Sequence, residues 1–266
     1  MNNLFLPILS FLFFTLVSCE REIDIDLNSS HPRFVIEASL SDDPIDSCLV
    51  LISKTLNFNQ SIAYPLVNNA LVTITDNTNS VVHTLLLIRP GVYYNSDLIG
   101  VTGHRYSLNI LIDNEQFTSV SVMPYRVLLD AIYEDSTFVN GGGAPPGRKP
   151  SIPIFLNFTD LKNSANYYQI AVTRNDTILK NVEMRDDQVF NGIRNERPIP
   201  IEAFKNDRLV VDLQCLDKSA FIFFFGLAAN LQQRSATPSN PASNISNGAL
   251  GYFKVHTSSK KNWTVQ

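Results

Sequence analysis

Residues 34–40 read Phe-Val-Ile-Glu-Ala-Ser-Leu and residues 48–53 read Cys-Leu-Val-Leu-Ile-Ser, with Asp42-Asp43-Pro44 between them. Two short runs rich in β-branched and aliphatic side chains, separated by turn formers, read as neighbouring strands. The pattern repeats over 70–75, 81–88, 106–112 and 117–122. Between these runs lie Asp76-Asn77-Thr78-Asn79-Ser80, Arg89-Pro90-Gly91 and Asp113-Asn114-Glu115, residues that tolerate left-handed backbone or preset φ. Short strands punctuated this regularly predict an antiparallel sandwich.

Met123-Pro124-Tyr125 marks a junction, because Pro124 cannot donate to a strand ladder. Beyond it the runs 127–133, 152–158, 167–173, 209–215 and 250–256 again predict strands. In Tyr167-Tyr168, as in Tyr93-Tyr94, one ring should point inward and one outward. Gly141-Gly142-Gly143-Ala144-Pro145-Pro146-Gly147 reads as an inter-strand loop; no helix start with Lys-Ser/Thr follows it, which disfavours a phosphate cradle. A helix is predicted over about 218–234, with Asp217 or Ser219 as N-cap and Phe221, Phe224, Phe225, Ala228 and Leu231 at helical spacing. Ile222 and Phe223 widen its apolar surface, so the helix should be covered on most sides, by its own sandwich or by a partner. The expected fold is all-β: two antiparallel β-sandwich domains (Ig-like or fibronectin-III-like) over 31–125 and 126–266, the second carrying the aromatic-rich helix.

Residues 4–19, LFLPILSFLFFTLVSC, are too short to cross a hydrocarbon core as a helix and long enough for a signal-peptide apolar region. Leu16-Val17-Ser18-Cys19 resembles the lipobox of bacterial lipoproteins. That resemblance implies removal of residues 1–18, acylation of Cys19, and a tether over 19–30 attached to the outer membrane. The leader carries no basic residue in Met1-Asn2-Asn3, and an ordinary secretory signal or a retained anchor are the competing readings. The polar, mostly acidic Glu20-Arg21-Glu22-Ile23-Asp24-Ile25-Asp26 suits a short tether. Acidic residues in this place also resemble a signal for display at the cell surface, and the cell surface and the periplasmic face both stay open.

The chain has 266 residues, 44% of them hydrophobic, and a formal charge of −4. Its 21 basic residues are scattered, which argues against a nucleic-acid partner and against electrostatic docking on anionic lipid. Cys48 and Cys215 lie in strand-like runs and read as buried thiols or as a disulfide joining the two halves; neither has a His or a second Cys at metal-ligand spacing. His31, His83, His104 and His256 are far apart, and no G-x-S-x-G elbow or Walker loop occurs. Asp186-Asp187-Gln188-Val189-Phe190-Asn191-Gly192 holds oxygen donors for Ca²⁺ but lacks the spaced ladder of an EF-hand, and a solvated turn is the preferred reading. Trp263, the one tryptophan, reads equally as a core-edge residue or a glycan platform. No catalytic residue, cofactor or metal is predicted, and no ligand-binding residue can be named.

Gly91-Val92-Tyr93-Tyr94 through Gly103-His104-Arg105-Tyr106-Ser107-Leu108 resembles the closing strands of small carboxypeptidase-regulatory-like or collagen-adhesin-B-like sandwiches, which are structural modules. Near the end, Asn240-Pro241-Ala242-Ser243-Asn244-Ile245-Ser246-Asn247-Gly248-Ala249-Leu250-Gly251-Tyr252-Phe253 reads as an ordered turn feeding the last strand. It resembles the C-terminal signature of the domain-of-unknown-function 4249 family, envelope lipoproteins of the Bacteroidota. The start CEREIDIDL, the FVIEASLSDD strand, the Val189-Phe190-Asn191-Gly192 turn and the aromatic helix after Leu216-Asp217-Lys218 follow the family's order. The resemblance implies no reaction and no catalytic residues. It implies a non-catalytic accessory or ligand-binding partner of a TonB-dependent outer-membrane receptor. A structural or adhesive surface protein is the alternative. An envelope hydrolase comes third, and would need His104 or the acidic pairs Asp42-Asp43 and Asp186-Asp187 to converge in one pocket.

Overall fold

The computed structural model describes residues 32–46, 48–56, 63–135, 151–180, 183–232 and 239–266. The lipobox, Cys19, the tether over 19–30, His31 and the Gly141–Gly147 loop lie outside the described residues. In chain order the strands are β1 (Phe34–Ser41), β2 (Cys48–Lys54), β3 (Leu71–Asp76), β4 (Val81–Arg89), β5 (Val92–Tyr94), β6 (Arg105–Ile112), β7 (Glu115–Val122) and β8 (Ala131–Glu134). They continue with β9 (Ile154–Thr159), β10 (Tyr167–Arg174), β11 (Thr177–Ile178), β12 (Glu183–Asp186), β13 (Arg194–Ile199) and β14 (Arg208–Leu216), then helix α1 (Lys218–Leu231) and β15 (Leu250–Thr264).

The large sheet runs β11-β10-β14-β15-β1-β2-β5-β4-β3-β6-β7, with β12 also on β10, and the small sheet runs β13-β9-β8. Alternation sets which face each strand buries. In β1, Ile36, Ala38 and Leu40 go into a core while Glu37 and Ser39 take the opposite face. The sheet folds over at β4, whose first half pairs with β3 and whose second half pairs with β5 across a register shift between Leu87 and Arg89. A strand that changes partners at an irregularity turns a corner. Ile36 and Val50 of one layer and Ile74, Leu108 and Phe117 of the other therefore share one core. A second core joins Tyr168, Ile170 and Leu213 of the large sheet to Leu156, Phe158 and Ile199 of the small one. The fold is all-β, two sandwiches and a helix.

The last strand departs from expectation. It was expected over 250–256 and in the second sandwich; it runs from Leu250 to Thr264 and serves both. Leu250–His256 pair with β1, and this pairing is parallel, in a fold otherwise expected to be antiparallel. His256–Thr264 pair antiparallel with β14. Phe253 and Val255 accordingly enter the first core, with Ile245 and Ala249 just upstream, whereas Trp263 and Val265 pack on the second.

Each half of β15 leaves one flank without a strand, and side chains supply the missing bonds. Asn244 accepts from the Phe253 N–H at 2.8 Å and donates to the Phe253 carbonyl at 2.9 Å. Asp42 accepts from the Ser258 N–H at 2.9 Å. The approach of β1 is close at Gly251, where φ is +106° and a Cβ would lie 1.9 Å from the Ile36 carbonyl oxygen. Only glycine fits there.

Helix α1 is capped by Asp217, whose carboxylate accepts from the Ala220 N–H at 2.8 Å and also from the Ser121 hydroxyl of β7. It ends at Leu231 and buries Ala220, Phe223, Phe224 and Ala228 against Leu216, Tyr167, Met184 and Tyr252. The expected face is thus corrected. Phe223 is buried, while Phe225 and Leu231 are 56% and 57% exposed and Ile222 is 46% exposed. Phe223 and Phe224 both reach Tyr252, with ring centroids 5.0 and 4.8 Å away.

Gly251→Ala is expected to cost about 3 kcal/mol or more, from the close approach and the left-handed backbone together. Asn244→Ala strands the Phe253 backbone and should cost about 2–4 kcal/mol. Asn247→Gly, at an exposed position with φ 55°, should change stability by less than about 0.5 kcal/mol. Urea denaturation of the three variants checks the order.

Candidate functional site

The groups that looked most like chemistry in the sequence are dispersed, and each has a structural bond. His104 Nδ1 lies 2.8 Å from Asp76 Oδ2, and Asp76 also accepts from the Thr78 and Asn79 N–H groups, tying the β3–β4 turn to the approach to β6. Burial tends to raise the Asp76 carboxyl, but the His104 bond and the turn amides outweigh it and hold it below the ordinary aspartate range. Asp42 accepts from the Arg126 guanidinium at 2.6 and 2.9 Å as well as from Ser258. Lys260 donates to Asp43 at 2.7 Å and to Asp46 at 2.8 Å. Against the pull of burial, these two carboxylates raise the Lys260 ammonium above its usual value, and Lys260 in turn lowers Asp43. The acidic turn after β1 is therefore a clamp on β15 and on the junction at Arg126.

Asp186 and Asp187 do not converge with these groups. Asp187 accepts from the Asn166 N–H at 3.0 Å, and the Gly192 N–H donates to Asp160 at 2.7 Å, so the 186–192 segment is a braced turn with Asp187 and Phe190 buried, where a solvated turn was preferred. Among the described residues no group of three or more His, Cys, Asp and Glu is arranged to hold a metal ion. His256 is buried, with its imidazole pushed well down by burial and by the nearby Lys254 and Lys260. Trp263 is a core-edge residue packed on the second core.

A cleft does form, at a place the sequence did not single out. It has a volume of about 380 Å³ and lies along β12, bounded by β13, the 186–190 turn and the first turns of α1. One wall is aromatic: Tyr167 packs on Phe221 at 4.9 Å between centroids and Phe221 on Phe225 at 5.6 Å. Met184 and Phe190 add apolar surface. Two guanidinium groups line it. Arg185 is buried and bonded at each of its three nitrogens, donating to Glu183 at 3.1 Å, to Asn195 at 3.0 Å and to the Pro198 carbonyl at 2.9 Å. Burial pushes its guanidinium down, Glu183 offsets this, and the like charge of Arg197 adds to it. Arg197 is exposed, and its guanidinium makes no hydrogen bond or ion pair with any described residue. A second, wider hollow of about 590 Å³ is lined by Ser151, Arg174, Lys180 and Glu202, but its Arg174 already donates to the Glu202 carbonyl.

The model of a family described as "Domain of unknown function (DUF4249)" matches residues 20–262. The chain belongs to the DUF4249 family. No curated protein matches it. Among solved structures it is similar to the FN1–FN3 domains of chicken CNTN1, at 10% identity and a TM-score of 0.25, covering 89% of this chain and 66% of that one, just under two thirds of its length. It is also similar to the chicken interferon gamma receptor alpha chain, at 10% identity and a TM-score of 0.20, covering 70% of this chain and 89% of that one. The fold assignment of this DUF4249 chain rests on its strand pairing and its two cores.

The family signature reads in the structure as backbone support. Asn244 and Gly251 hold β15, and Ser246 exchanges bonds with Thr118 on the edge strand β7, accepting from the Thr118 N–H at 2.7 Å and donating its own N–H to the Thr118 carbonyl at 2.8 Å. The disulfide left open between Cys48 and Cys215 is not made. Both are free, Cys48 in the first core and Cys215 in the second. Burial pushes the Cys48 thiol up to about 12 and Cys215 up to about 11, with backbone hydrogen bonds opposing.

Two outcomes follow from these environments. In the native protein at pH 8 Cys48 and Cys215 should react negligibly with dithionitrobenzoate, and unfolding in guanidinium should make both thiols reactive. The stability contributed by Asp76, whose folded-state value is depressed, is full above about pH 4 and is lost as the pH falls through that value. Asp76→Asn should flatten the acid limb of the stability–pH curve measured by urea denaturation.

Proposed function

We propose that this protein is a lipoprotein held at the outer membrane through acyl chains on Cys19, acting without catalysis as an accessory or ligand-binding partner of a TonB-dependent nutrient transporter. The observation that carries this reading is the join between Leu16-Val17-Ser18-Cys19 and the family match, which opens at residue 20, directly after the cysteine that would be acylated. The family match thus starts one residue after the mature chain would start. Among the described residues no helix is long and apolar enough to cross a membrane. The link to the bilayer in this reading is chemical, and paired acyl chains give the durable attachment that a single chain does not.

The architecture supports a binding role over a reaction. His104, Asp42, Asp43 and Asp187 all take part in bonds that brace turns and strands. Among the described residues neither a His nor a Ser lines the cleft along β12, so they bring no His–Ser nucleophile–base pair there.

The intact mass of the protein from its native cells should correspond to a chain starting at Cys19 with acyl groups attached, and Cys19→Ala should move it from the membrane to the soluble fraction. Detergent-solubilised membranes should yield it together with a TonB-dependent receptor, and protease treatment of living cells decides between the outer surface and the periplasmic face. Retention of Met1 with no added lipid would overturn the anchor, and repeated purification without any receptor would overturn the partnership.

A further inference from the structure

We infer that the cleft along β12 binds a small organic carboxylate with a planar apolar body, the carboxylate held by Arg197 and the body lying against Phe221 and Phe225. This rests on the ligand-binding arm of the function proposed above, and it names the site and the ligand class.

Three features of the cleft point the same way. The first is the contrast between its two arginines. Arg185 is buried, and each of its three nitrogens is bonded, to Glu183, Asn195 and the Pro198 carbonyl, as a buried charge requires. Arg197, two residues along β13 from Asn195 and therefore on the same face of that strand, has its donors free. A guanidinium presents two parallel N–H groups that match a carboxylate.

The second feature is that the cleft's own acids make no ion pair with Arg197. Glu183 is paired with Arg185, and Asp186 is bonded within its own turn, to the Gln188 N–H at 3.4 Å. The Arg197 guanidinium is therefore the donor fork left for a ligand, and such a fork takes a carboxylate best.

The third is the wall opposite. Phe225 is 56% exposed although it sits in a helix whose other phenylalanines at 223 and 224 are buried. Its ring is held by Phe221, which is in turn held by Tyr167. A fixed aromatic face beside an unpaired guanidinium is an amphipathic recognition surface. The volume of about 380 Å³ falls in the range of small-ligand sites.

The test uses the purified full-length protein with isotope-labelled arginine and phenylalanine, titrated with 3-phenylpropionate, its neutral amide, and phenethylamine. Saturable NMR shifts are expected for 3-phenylpropionate at the Arg197 Nε–H and the Phe225 ring, with Kd of about 1 mM or tighter. The amide should bind about tenfold more weakly, and so should 3-phenylpropionate to Arg197→Gln. Arg197→Lys, which keeps the charge and loses the fork, should fall between. Phe225→Ala should weaken binding severalfold while the thermal midpoint stays at the wild-type value, since that ring is exposed.

Equal binding of acid and amide, preference for phenethylamine, or no saturable shift at concentrations far above the expected Kd would overturn the inference. So would shifts that Arg197→Gln leaves unchanged. The amide comparison on the wild-type protein decides the matter even if a variant folds poorly. All of these are read without membrane or receptor, so failure here is distinct from failure of the Cys19 anchor or of the receptor partnership.

Discussion

Everything described in this fold hangs on one strand bonding two ways. β15 enters the first sandwich beside β1 and leaves through the second beside β14, and the handover falls at His256, which is in register with Ser41 on one side and Leu216 on the other. A strand used in this way has two half-flanks with no neighbouring strand, and buried backbone groups without partners are costly, about 1–3 kcal/mol each. Asn244 and Asp42 resolve this by presenting side-chain amide and carboxylate atoms where backbone would otherwise be. The signature around Asn244 to Phe253 is therefore less a binding motif than the fitting that lets one strand close two cores. Gly251 belongs to the same fitting, since any side chain there would push β1 away from its parallel partner.

The junction shows where the protein's charges go. Asp42, Asp43 and Asp46 engage Arg126, Ser258 and Lys260, so an acidic turn that a hydrolase would have needed free is bound to its own chain. Asp187 and Asp160 do the same for the turn before β13, and Asp217 for the helix and for Ser121 of β7. Charge-assisted bonds of this kind are stronger than neutral ones. They have a second effect, which is to remove the acids from any chemistry that would need them free.

Sequence patterning made the ladders of the first sandwich legible, since β1, β2, β3, β4, β6 and β7 alternate or are β-branched and sit between clear turns. It could not show β13, Arg-Asn-Glu-Arg-Pro-Ile, nor the middle of β15, Thr-Ser-Ser-Lys-Lys over 257–261, which joins the run 250–256 to the strand-like Asn262-Trp263-Thr264-Val265, because these polar residues carry no apolar period. These strands form because β9 and β14 present complementary ladders, a tertiary cause that no local window contains. The helix was legible as a helix but its orientation was not. Phe221-Ile222-Phe223-Phe224-Phe225 is apolar all round, and only the positions of Tyr252 and Tyr167 on the sheet beneath decide which rings are covered. The cleft was invisible for a related reason. Its residues come from β12, β13 and α1, and their meeting depends on the pairing of β12 with β10 and of β13 with β9.

The two arginines of that cleft mark the difference between holding a fold and being available to something else. A guanidinium taken out of water has to recover its lost hydration from fixed acceptors, so Arg185, once buried, is committed to the wall it stands in. An exposed guanidinium loses no hydration on folding and requires no partner, which means that leaving Arg197 unpaired costs the native state little. The fold can therefore keep that charge beside an exposed aromatic face at almost no expense in stability. The penalty for drying it arises only when a ligand enters, and a carboxylate arriving there can offset it. The part of this structure that is free to recognise a second molecule is accordingly found at the edge of the second sandwich, away from the saturated junction where the two cores meet.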